Sequence, residues 1–290
     1  GDDVISGGGG FDLARYAYDG AATTGLVVNM AAGTVIGDPL VTGTDTLSSI
    51  ESIQGSFLDD VYNAVGFSAS SANAGSNGTF NEFEGMAGND QITGNGNTRV
   101  SYISAREGVN VNIATGIAIG GASVGTDSFS GVIEIRGSNF DDTLIGSNNG
   151  TASTQIYEGR GGNDTISGGG GFDQARYIND FTTAGITVNM AAVNAFTGTV
   201  VGDAAIGTDT LINIASVRGT NFADSYVATG FNSVTALGTF NEFEGGGGND
   251  LITGNGNTRV TYINAGASVS VNLGLGTANG SYVPLQMAGG

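Results

Sequence analysis

The chain has 290 residues, of which 53 are Gly and only 2 are Pro, and Cys, Trp and His are absent. Charged residues make up 12%, and 8 Arg against 27 acidic residues leave a formal charge of -19. This charge argues against nucleic acid or an anionic membrane surface as a partner and favours cations. No apolar run approaches the roughly 18 residues of a membrane span, so we expect no membrane-crossing segment.

Self-comparison along the chain finds a unit of about eighty residues. We predict one continuous solenoid over 1–290, built of units 1–79, 80–154, 155–239 and a truncated 240–290. The first and third units match each other best, and the second and fourth share GNGNTRV, a pattern typical of a duplicated duplication. Because the sequence begins and ends in mid-repeat and has no Met start, we interpret it as a segment of a longer protein.

The first unit shows the order of elements that the later units repeat. A glycine-rich turn with a short strand (1–16) precedes the apolar strand GLVVNM (25–30), and GTDTLSSIESIQGSFLDDVYN (43–63) follows. In the second unit, apolar residues occupy every second position over 109–113. This is strand periodicity, and no apolar pattern of helical period with caps occurs. Stacked coils bury such thin apolar faces and pair their backbone edges, so the predicted fold is all-β with almost no helix.

Two nine-residue words stand in tandem between 158 and 177, GRGGNDTIS and GGGGFDQAR. Each has a glycine-rich run, an Asp in sixth place and an inward-pointing residue two positions later. Glycines allow the left-handed backbone and the close approach that consecutive turn residues need, and the residues after the Asp include strand formers. Such a turn aims carbonyls inward, and Asp164 or Asp173 at its end adds the hard oxygen ligands that Ca²⁺ binds.

These words, repeated along the chain, closely resemble the calcium-binding nonapeptide of the repeats-in-toxin (RTX, hemolysin-type) family. The resemblance implies a right-handed parallel β-roll or β-helix solenoid, with Ca²⁺ held between stacked glycine-rich turns. It also implies a bacterial protein exported to the outside by type I secretion of an unfolded chain. If each Ca²⁺ brings two charges, roughly nine or ten ions neutralise the chain, about the number of turns with a suitable Asp.

By the resemblance, the Asp in sixth place of each word is the side-chain calcium ligand, and the flanking glycines lend carbonyls. Nine aspartates occupy this place: Asp3, Asp12, Asp60, Asp90, Asp142, Asp164, Asp173, Asp224 and Asp250. GTD turns add three candidates of second rank: Asp45, Asp127 and Asp209. An isolated Asp after glycines is more often a surface turn residue bonded to its own backbone, and the repetition of the whole word is what favours calcium. For the GTD turns both interpretations stay open.

Some turns depart from the word. GNGNTRV places Arg99 and Arg259 where Asp stands elsewhere, and because an arginine cannot coordinate a cation we predict these turns to be empty. In other coils amide side chains take the ligand place: Asn81, Gln155 and Asn241. Three glutamates directly precede glycine turns and are either additional ligands or, as we expect, solvated rim charges: Glu84, Glu158 and Glu244. The tyrosines that close each pair of words are expected to stack inside the roll: Tyr16, Tyr102, Tyr177 and Tyr262.

Two functions compete. The first is a non-enzymatic calcium-binding structural module of an extracellular or cell-surface bacterial protein, such as an adhesin, a surface-layer protein or a secreted RTX protein, that folds on Ca²⁺ binding after export. The alternative is a β-helix polysaccharide-active enzyme or an epimerase-associated module. Its candidate groups are the pairs Asp59/Asp60 and Asp141/Asp142, but adjacent strand residues face opposite sides. Without His or Cys the usual nucleophile and base pairs are absent, so we expect no enzyme.

Calcium ions are the expected partners. Copies of the chain or cell-surface glycans are further candidates, because open coil edges must be continued by more chain or by a partner. Ice or glycan binding on a flat Thr face rests on two T-D-T segments, at 44–46 and 208–210, which do not make a regular array.

Overall fold

The computed structural model of the protein describes residues 1–17, 20–148, 154–178 and 181–280. These residues form β-strands, turns and loops, and no helix occurs among them. The predicted all-β fold is therefore confirmed.

The described residues form two compact units, residues 1–139 and residues 140–280. The first unit contains β1 (Val4–Ser6), β2 (Leu13–Arg15), β3 (Val27–Asn29), β4 (Thr34–Ile36), β5 (Thr44–Ser48), β6 (Ser52–Gln54), β7 (Val61–Asn63), β8 (Asn81–Glu84), β9 (Gln91–Ser101), β10 (Asn110–Asn112), β11 (Ile117–Ile119) and β12 (Thr126–Arg136). The second contains β13 (Thr143–Ile145), β14 (Ile156–Glu158), β15 (Thr165–Ser167), β16 (Gln174–Arg176), β17 (Thr187–Asn194), β18 (Thr197–Val201), β19 (Thr208–Ile212), β20 (Ser216–Arg218), β21 (Ser225–Val227), β22 (Asn241–Glu244), β23 (Leu251–Thr253), β24 (Thr258–Val260), β25 (Ser270–Asn272) and β26 (Thr277–Asn279).

The first unit is a roll with two parallel ladders. In one ladder β3, β7 and the first parts of β9 and β12 pair in parallel, so that Val61 lies opposite Gln91. In the other, β2, β6, β8 and the later parts of β9 and β12 pair in parallel. β9 and β12 have 11 residues each and run through both ladders. The glycine turns lie where the chain enters a ladder, which places the Asp of each word directly before a strand.

The second unit repeats this arrangement. β13, β15 and β19 pair in parallel, as do β17, β21 and β23. The other ladder contains β14, β16, β20, β22 and β24. The many parallel pairings in both units confirm the predicted parallel roll.

Antiparallel hairpins interrupt the parallel stack, and the sequence analysis missed their return strands. β3 pairs antiparallel with β4, and β4 with β5. The reversal uses Gly33, whose φ is +65°, and the Asn29 carbonyl Oδ1, which accepts the Ala32 N–H at 3.0 Å. The same arrangement joins β10, β11 and β12, and β17, β18 and β19, whereas β25 and β26 form a separate two-stranded sheet. The sheets are therefore mixed rather than purely parallel.

The core lies between the two ladders. Tyr62 of β7 and Phe83 of β8 are fully buried, and their rings stack at 4.7 Å between centroids. Tyr226 of β21 and Phe243 of β22 stack in the same way at 4.6 Å in the second unit. The eighth place of each word thus faces inward, as its alternation predicts.

The boundary between the compact units falls within the predicted repeat unit 80–154. The four repeat units are defined by sequence similarity, whereas the two compact units are defined by contacts in space. The compact units therefore do not test the four-unit division, which stays a prediction. The polar insertions at 68–78 and 232–238 contain no strand, as expected of loops. The insertion at 146–154 lies partly outside the described residues.

Candidate metal centre in the glycine turns

The turn at 85–90 shows why each word needs its glycines. A Cβ on Gly85 would overlap Asp90 Oδ2, so the first place of the word must leave room for the carboxylate of its own sixth place. Gly88 has a φ of +126°, and a Cβ there would overlap the backbone at Leu58 and Asp59 in the preceding coil. A Cβ on Gly245 or on Gly159 would likewise overlap the carboxylate in sixth place of the same word, that of Asp250 or Asp164. Glycine therefore permits both the fold of one turn and the close stacking of the next.

The carboxylates in sixth place form a continuous column in the first unit. The Leu26 N–H donates to Asp60 Oδ1 at 2.6 Å, the Asp60 N–H donates to Asp90 Oδ1 at 2.8 Å, and the Asp90 N–H donates to Asp127 Oδ1 at 3.0 Å. At the start of the unit the Asp3 N–H donates to Asp45 Oδ1 at 2.9 Å. Each carboxylate therefore accepts the main-chain N–H at the same place one coil earlier.

The second unit contains the same column in two pieces. The Asp142 N–H donates to Asp164 Oδ1 at 2.8 Å, and the Asp164 N–H donates to Asp209 Oδ1 at 2.9 Å. Further along, the Asp224 N–H donates to Asp250 Oδ1 at 3.0 Å. The structure thus brings together, coil upon coil, residues that the sequence analysis predicted only one word at a time.

A second set of bonds runs in the opposite direction, and the sequence analysis missed it. The residue in fifth place accepts the N–H of the fifth place one coil later: the Asn89 N–H donates to Asp59 Oδ1 at 2.7 Å, and the Thr126 N–H donates to Asn89 Oδ1 at 3.0 Å. In the second unit the Asn163 N–H donates to Asp141 Oδ1 at 2.7 Å. Adjacent turns are therefore joined by a reciprocal pair of bonds, which we call the turn clamp. The sequence signal for it is the recurrent Asp-Asp or Asn-Asp at places five and six.

The other ladder carries a weaker column. The Asp12 N–H donates to Glu51 Oε2 at 3.0 Å, and the Gln155 N–H donates to Asp173 Oδ1 at 3.1 Å. Asn81 lies in this column as predicted, but the register pairs it with Thr98 and not with Arg99. The assignment of Arg99 to the ligand place is therefore wrong by one residue, and by the same pairing so is that of Arg259, because Asn241 pairs with Thr258. Thr98 accordingly takes the place that the GNGNTRV alignment gave to arginine.

The arginine instead lies in a buried ion-pair cluster on the other side of the strand. Arg99 contacts Glu82 and lies 3.0 Å from Glu134 Oε1, and its guanidinium lies over the rings of Phe11 and Phe80. The expectation that the glutamates before glycine turns are solvated rim charges is also wrong. They are buried, as adjacent coils cover them: Glu84, Glu158 and Glu244.

The GTD aspartates end the columns. Asp127 accepts the Asp90 N–H on Oδ1 and the Tyr102 hydroxyl on Oδ2, the latter at 3.2 Å. Asp45 accepts the Asp3 N–H and the Tyr16 hydroxyl at 2.9 Å in the same way. Two of the tyrosines that close a pair of words, Tyr16 and Tyr102, thus donate to a carboxylate. Metal ligation by the GTD set stays a prediction, since both oxygens of these two carboxylates already have donors.

Burial raises the pKa of several carboxyls in the columns. The pKa of Asp90 rises to about 9, chiefly through loss of solvent and next through the nearby Asp127. Loss of solvent and then Asp209 raise the pKa of Asp164 to about 9. Burial likewise raises the pKa of Asp173 to about 7. Carboxylates stacked in a dry column repel one another, and a cation among them would reverse this effect on the pKa.

The donor set fits Ca²⁺. Within the described chain, six buried carboxylate oxygens accept no hydrogen bond: Asp12 Oδ2, Glu51 Oε1, Asp90 Oδ2, Asp164 Oδ2, Asp173 Oδ2 and Asp209 Oδ2. A buried charged oxygen without a partner is costly, and Ca²⁺ takes about six to eight hard oxygen ligands. Among the residues that the structure describes, no three acidic side chains converge as one metal-binding group. An ion in these turns would therefore draw much of its coordination from main-chain carbonyls.

The predicted ligands differ in exposure. Most are buried: Asp45, Asp60, Asp90, Asp127, Asp142, Asp164, Asp173, Asp209 and Asp224. Asp3 is exposed, and Asp12 and Asp250 are partly buried. In each carboxylate pair considered for catalysis, the two side chains face opposite sides, as predicted. Asp60 and Asp142 are buried, whereas Asp59 and Asp141 are exposed. Neither pair presents two carboxylates to one substrate bond.

Fold and turns together define a β-roll whose glycine turns hold columns of buried carboxylates. The RTX calcium-binding nonapeptide repeat matches the chain in four copies, at residues 1–14, 76–98, 150–175 and 235–258. The chain therefore carries the hemolysin-type RTX repeat and is a calcium-binding repeat module. No curated protein matches it. No helix in the described ranges has the length and apolar character needed to cross a membrane.

The matched segments cover half of the predicted ligands. Those inside them are Asp3, Asp12, Asp90, Asp164, Asp173 and Asp250. Those outside are Asp60, Asp142, Asp224 and the GTD set Asp45, Asp127 and Asp209. Asp60, Asp142 and Asp224 nevertheless take part in the same hydrogen-bonded columns, so geometry extends the repeat beyond its matched segments.

Proposed function

We propose that the chain is a structural module of an exported bacterial protein, and that it folds when Ca²⁺ enters its glycine turns. The observation that carries this proposal is the column Asp60, Asp90 and Asp127, in which buried carboxylates stack one coil apart. The charged groups that raise the pKa of Asp90 are further carboxylates, namely Asp127, Asp60 and Asp59. A divalent ion would supply the missing positive charge.

Folding and metal binding would be one process. Without Ca²⁺ the stacked carboxylates repel each other and must lose solvent, and a glycine-rich backbone has more entropy to lose than a thin core offsets. With Ca²⁺ the ions cancel this repulsion and tie adjacent turns. The free energy of ion binding then becomes free energy of folding.

The nine sixth-place aspartates are the proposed ligands, with the main-chain carbonyls of their turns. We propose roughly nine or ten ions, in keeping with the charge of -19. Asp45 and Asp127 of the GTD set are assigned a different main role, which is to end a column with a tyrosine hydroxyl as second partner. Ligation by the GTD set is tested separately below.

An extracellular location suits this chemistry. Sites in extracellular modules work at a Kd of roughly 10⁻⁴ to 10⁻³ M, because Ca²⁺ is plentiful outside the cell. In a calcium-poor cytosol the chain would stay unfolded, which type I secretion requires. Adhesins, surface-layer proteins and secreted RTX proteins are the parent classes that use such a module.

Calcium titration of the purified chain tests the proposal. We expect far-ultraviolet circular dichroism of a disordered chain in chelator and a β-type spectrum in millimolar Ca²⁺. Mg²⁺ at the same concentration is the matched control, because it screens charge equally but demands a tighter octahedral site and keeps its waters. Equal folding in chelator, or equal rescue by Mg²⁺, contradicts the proposal.

A further inference from the structure

We propose that Glu51 is a further cation ligand, and that with Asp12 it forms a two-carboxylate Ca²⁺ site closed by one long loop, residues 66–81. The inference rests on the proposed function, since it concerns the same ion that the other glycine turns take. It adds a ligand that lies outside every nine-residue word and outside the matched repeat segments. It also gives a role to a loop that the sequence indicated only as a polar insertion.

Strand pairing puts Glu51 in the ligand place of its coil. β2 pairs with β6 in parallel, and the residues that directly precede these strands, Asp12 and Glu51, are therefore neighbours in adjacent coils. The Asp12 N–H donates to Glu51 Oε2 at 3.0 Å, just as the Asp60 N–H donates to Asp90 Oδ1 in the other ladder. The turn that leads into Glu51 contains no glycine, so no nine-residue word marks this ligand place.

Each of the two carboxylates has one buried oxygen without a partner. Glu51 is 2% exposed, and its Oε1 accepts no hydrogen bond in the described part of the chain. Asp12 Oδ2 is enclosed and unpaired in the same way. Among the described residues, no arginine forms an ion pair with either side chain. Two neighbouring buried charges of the same sign are costly, and a divalent cation held by both would remove that cost.

A main-chain carbonyl adds to the donor set. The Ser49 carbonyl and the Asp12 carboxyl both lie against Gly7, where a Cβ would overlap them. Ser49 has a φ of +54°, a left-handed conformation that is costly for a residue other than glycine. Carboxylate and carbonyl oxygens are the hard ligands that Ca²⁺ takes. Asp12, Glu51 and the Ser49 carbonyl are thus the groups that would hold the ion.

The long loop lies directly on the Glu51 coil. Asn73 is fully buried, and its Oδ1 accepts the Ile50 N–H at 2.9 Å while its Nδ2 donates to the Ile50 carbonyl at 2.6 Å. A Cβ on Gly75 would overlap Glu51 Oε1, so the loop backbone rests on the unpaired oxygen itself. The loop therefore shields the carboxylate from solvent without giving it a hydrogen bond.

The same loop also holds the turn that ends in Asp12. Ser76 Oγ accepts the Gly10 N–H at 3.0 Å, and Asn77 Nδ2 donates to the Gly10 carbonyl at 2.5 Å. The loop thus bridges the two coils whose carboxylates are neighbours. An ion bound by both carboxylates would tie the two coils together beneath the loop and so favour the closed loop.

The second unit contains the same turn without the second carboxylate. Ala215 stands at the place of Glu51, in the coil that pairs with that of Asp173. The corresponding loop, GFNSVTALGTFN (230–241), is four residues shorter than the long loop, GFSASSANAGSNGTFN. The extra carboxylate and the extra loop residues therefore occur together in the first unit, as expected if they build one site.

Glu51→Ala removes the proposed ligand and introduces the residue that the second unit already has at this place. Native mass spectrometry of the whole chain in Ca²⁺ counts the bound ions, and hydrogen–deuterium exchange reports on the loops. We expect one Ca²⁺ fewer than in the wild type. Exchange in 68–78 should become about tenfold faster or more, because the closed loop loses the ion beneath it, while 232–238 stays unchanged.

Glu51→Gln tests the alternative that the two carboxyls share a proton instead of an ion. The amide Nε2–H can replace that proton, but the ligand charge is lost. We expect protection of 68–78, relative to 232–238, to need about tenfold more Ca²⁺ or more, since ligand charge tunes affinity. Glu107→Gln is the matched control, because Glu107 Oε1 already accepts the Ser123 N–H and hydroxyl, and it should change nothing. Protection of 68–78 in Glu51→Gln at the wild-type Ca²⁺ concentration overturns the site.

Circular dichroism of each variant in millimolar Ca²⁺ separates this test from the proposed function. A wild-type chain that folds equally in chelator contradicts the proposed function. A folded Glu51→Ala chain with the full ion count and a protected loop overturns only the site at Glu51. If Glu51→Ala does not fold, the nearly isosteric Glu51→Gln decides alone.

Discussion

The Asp60 N–H donates a hydrogen bond to Asp90 Oδ1 at 2.8 Å, although the two residues are thirty positions apart. This bond joins one glycine turn to the next. The Asn89 N–H donates a second bond in the opposite direction, to Asp59 Oδ1, and the two bonds together fix the stacking of the turns. The same carboxylate of Asp90 keeps Oδ2 buried without a hydrogen-bond partner in the described chain. One oxygen therefore holds the coils together, and the other is left for a cation.

Replacing Asp90 by Asn separates these two roles. The amide oxygen still accepts the Asp60 N–H, but the buried negative charge is gone. We expect folding without Ca²⁺ to become less unfavourable by about 1 kcal/mol or more, because one unit of pKa shift corresponds to ~1.4 kcal/mol. The calcium midpoint for folding should rise as well, because a ligand charge is lost. Circular dichroism against Ca²⁺ concentration measures both.

Asp59→Asn is the matched control for this substitution. Asp59 is the exposed neighbour whose Oδ1 also accepts a main-chain N–H, so the same chemical change occurs outside the column. We expect a much smaller change in the calcium midpoint. Equal shifts in the two variants would show that the buried column has no special relation to calcium.

The pH dependence of the metal-free chain should be the reverse of ordinary acid denaturation. Burial and the nearby Asp209 raise the pKa of Asp164 to about 9, and burial raises that of Asp224 to about 6. A carboxyl with a raised pKa in the folded state binds more protons folded than unfolded, so stability falls as pH rises. The contribution is fully present below the unfolded pKa near 4 and is lost progressively up to about pH 9.

Circular dichroism in chelator at pH 5.5 and at pH 8.5 measures this effect. We expect a larger residual β-type signal at pH 5.5, and the difference should shrink in saturating Ca²⁺, because the ion stabilises the ionised carboxylates. A metal-free chain that shows more β-type signal at pH 8.5 would contradict the burial of charge in the columns.

Gly85→Ala tests the close approach within a word. A Cβ at this position would overlap Asp90 Oδ2, so we expect a loss of about 1–3 kcal/mol of stability, as for other overpacked sites. Gly9→Ala is the matched control, because a Cβ there meets open space and the backbone φ is ordinary. Melting temperatures in saturating Ca²⁺ compare the two, and equal values would contradict the role of the first glycine.

Tyr102→Phe tests the ends of the columns. It removes the hydroxyl that donates to Asp127 Oδ2 and leaves a buried charged oxygen unpaired, so a loss of about 1–3 kcal/mol is expected. Tyr62→Phe removes a buried bond to the neutral Asn81 Oδ1 and should cost less. If Asp127 instead binds Ca²⁺ through Oδ2, the effect should nearly vanish in saturating Ca²⁺ and the number of bound ions should fall in Asp127→Asn.

Part of this site could be predicted from one word of sequence, and part could not. The sixth-place Asp, the inward eighth place and the need for glycine are local features, so a single GRGGNDTIS at 159–167 is enough to indicate them. Which word stacks on which depends on loops of differing length between the words. The pairing of Asp164 with Asp209 therefore spans a hairpin whose return strand, β18, carries no word.

The register of GNGNTRV shows a similar limit. Counting from the glycine puts Arg99 in sixth place, but the strand pairing puts Thr98 there, since Thr98 bonds Asn81 Oδ1 at 2.8 Å. One residue of slip turns a side chain to the opposite face of a strand. The arginine thus lies in an ion-pair cluster that the spacing of the word did not indicate.

The duplicated arginines provide a direct test of how much a covering coil contributes. Arg99 is 5% exposed and bonded to two carboxylates, whereas Arg259 is 56% exposed beside Glu242. Arg99→Met should destabilise the chain by about 3–5 kcal/mol, because two buried carboxylates lose their cation. Arg259→Met should cost no more than about 1 kcal/mol, because solvent screens the exposed pair. Urea unfolding in saturating Ca²⁺ measures both, and the variants control for each other since the flanking sequences are nearly the same.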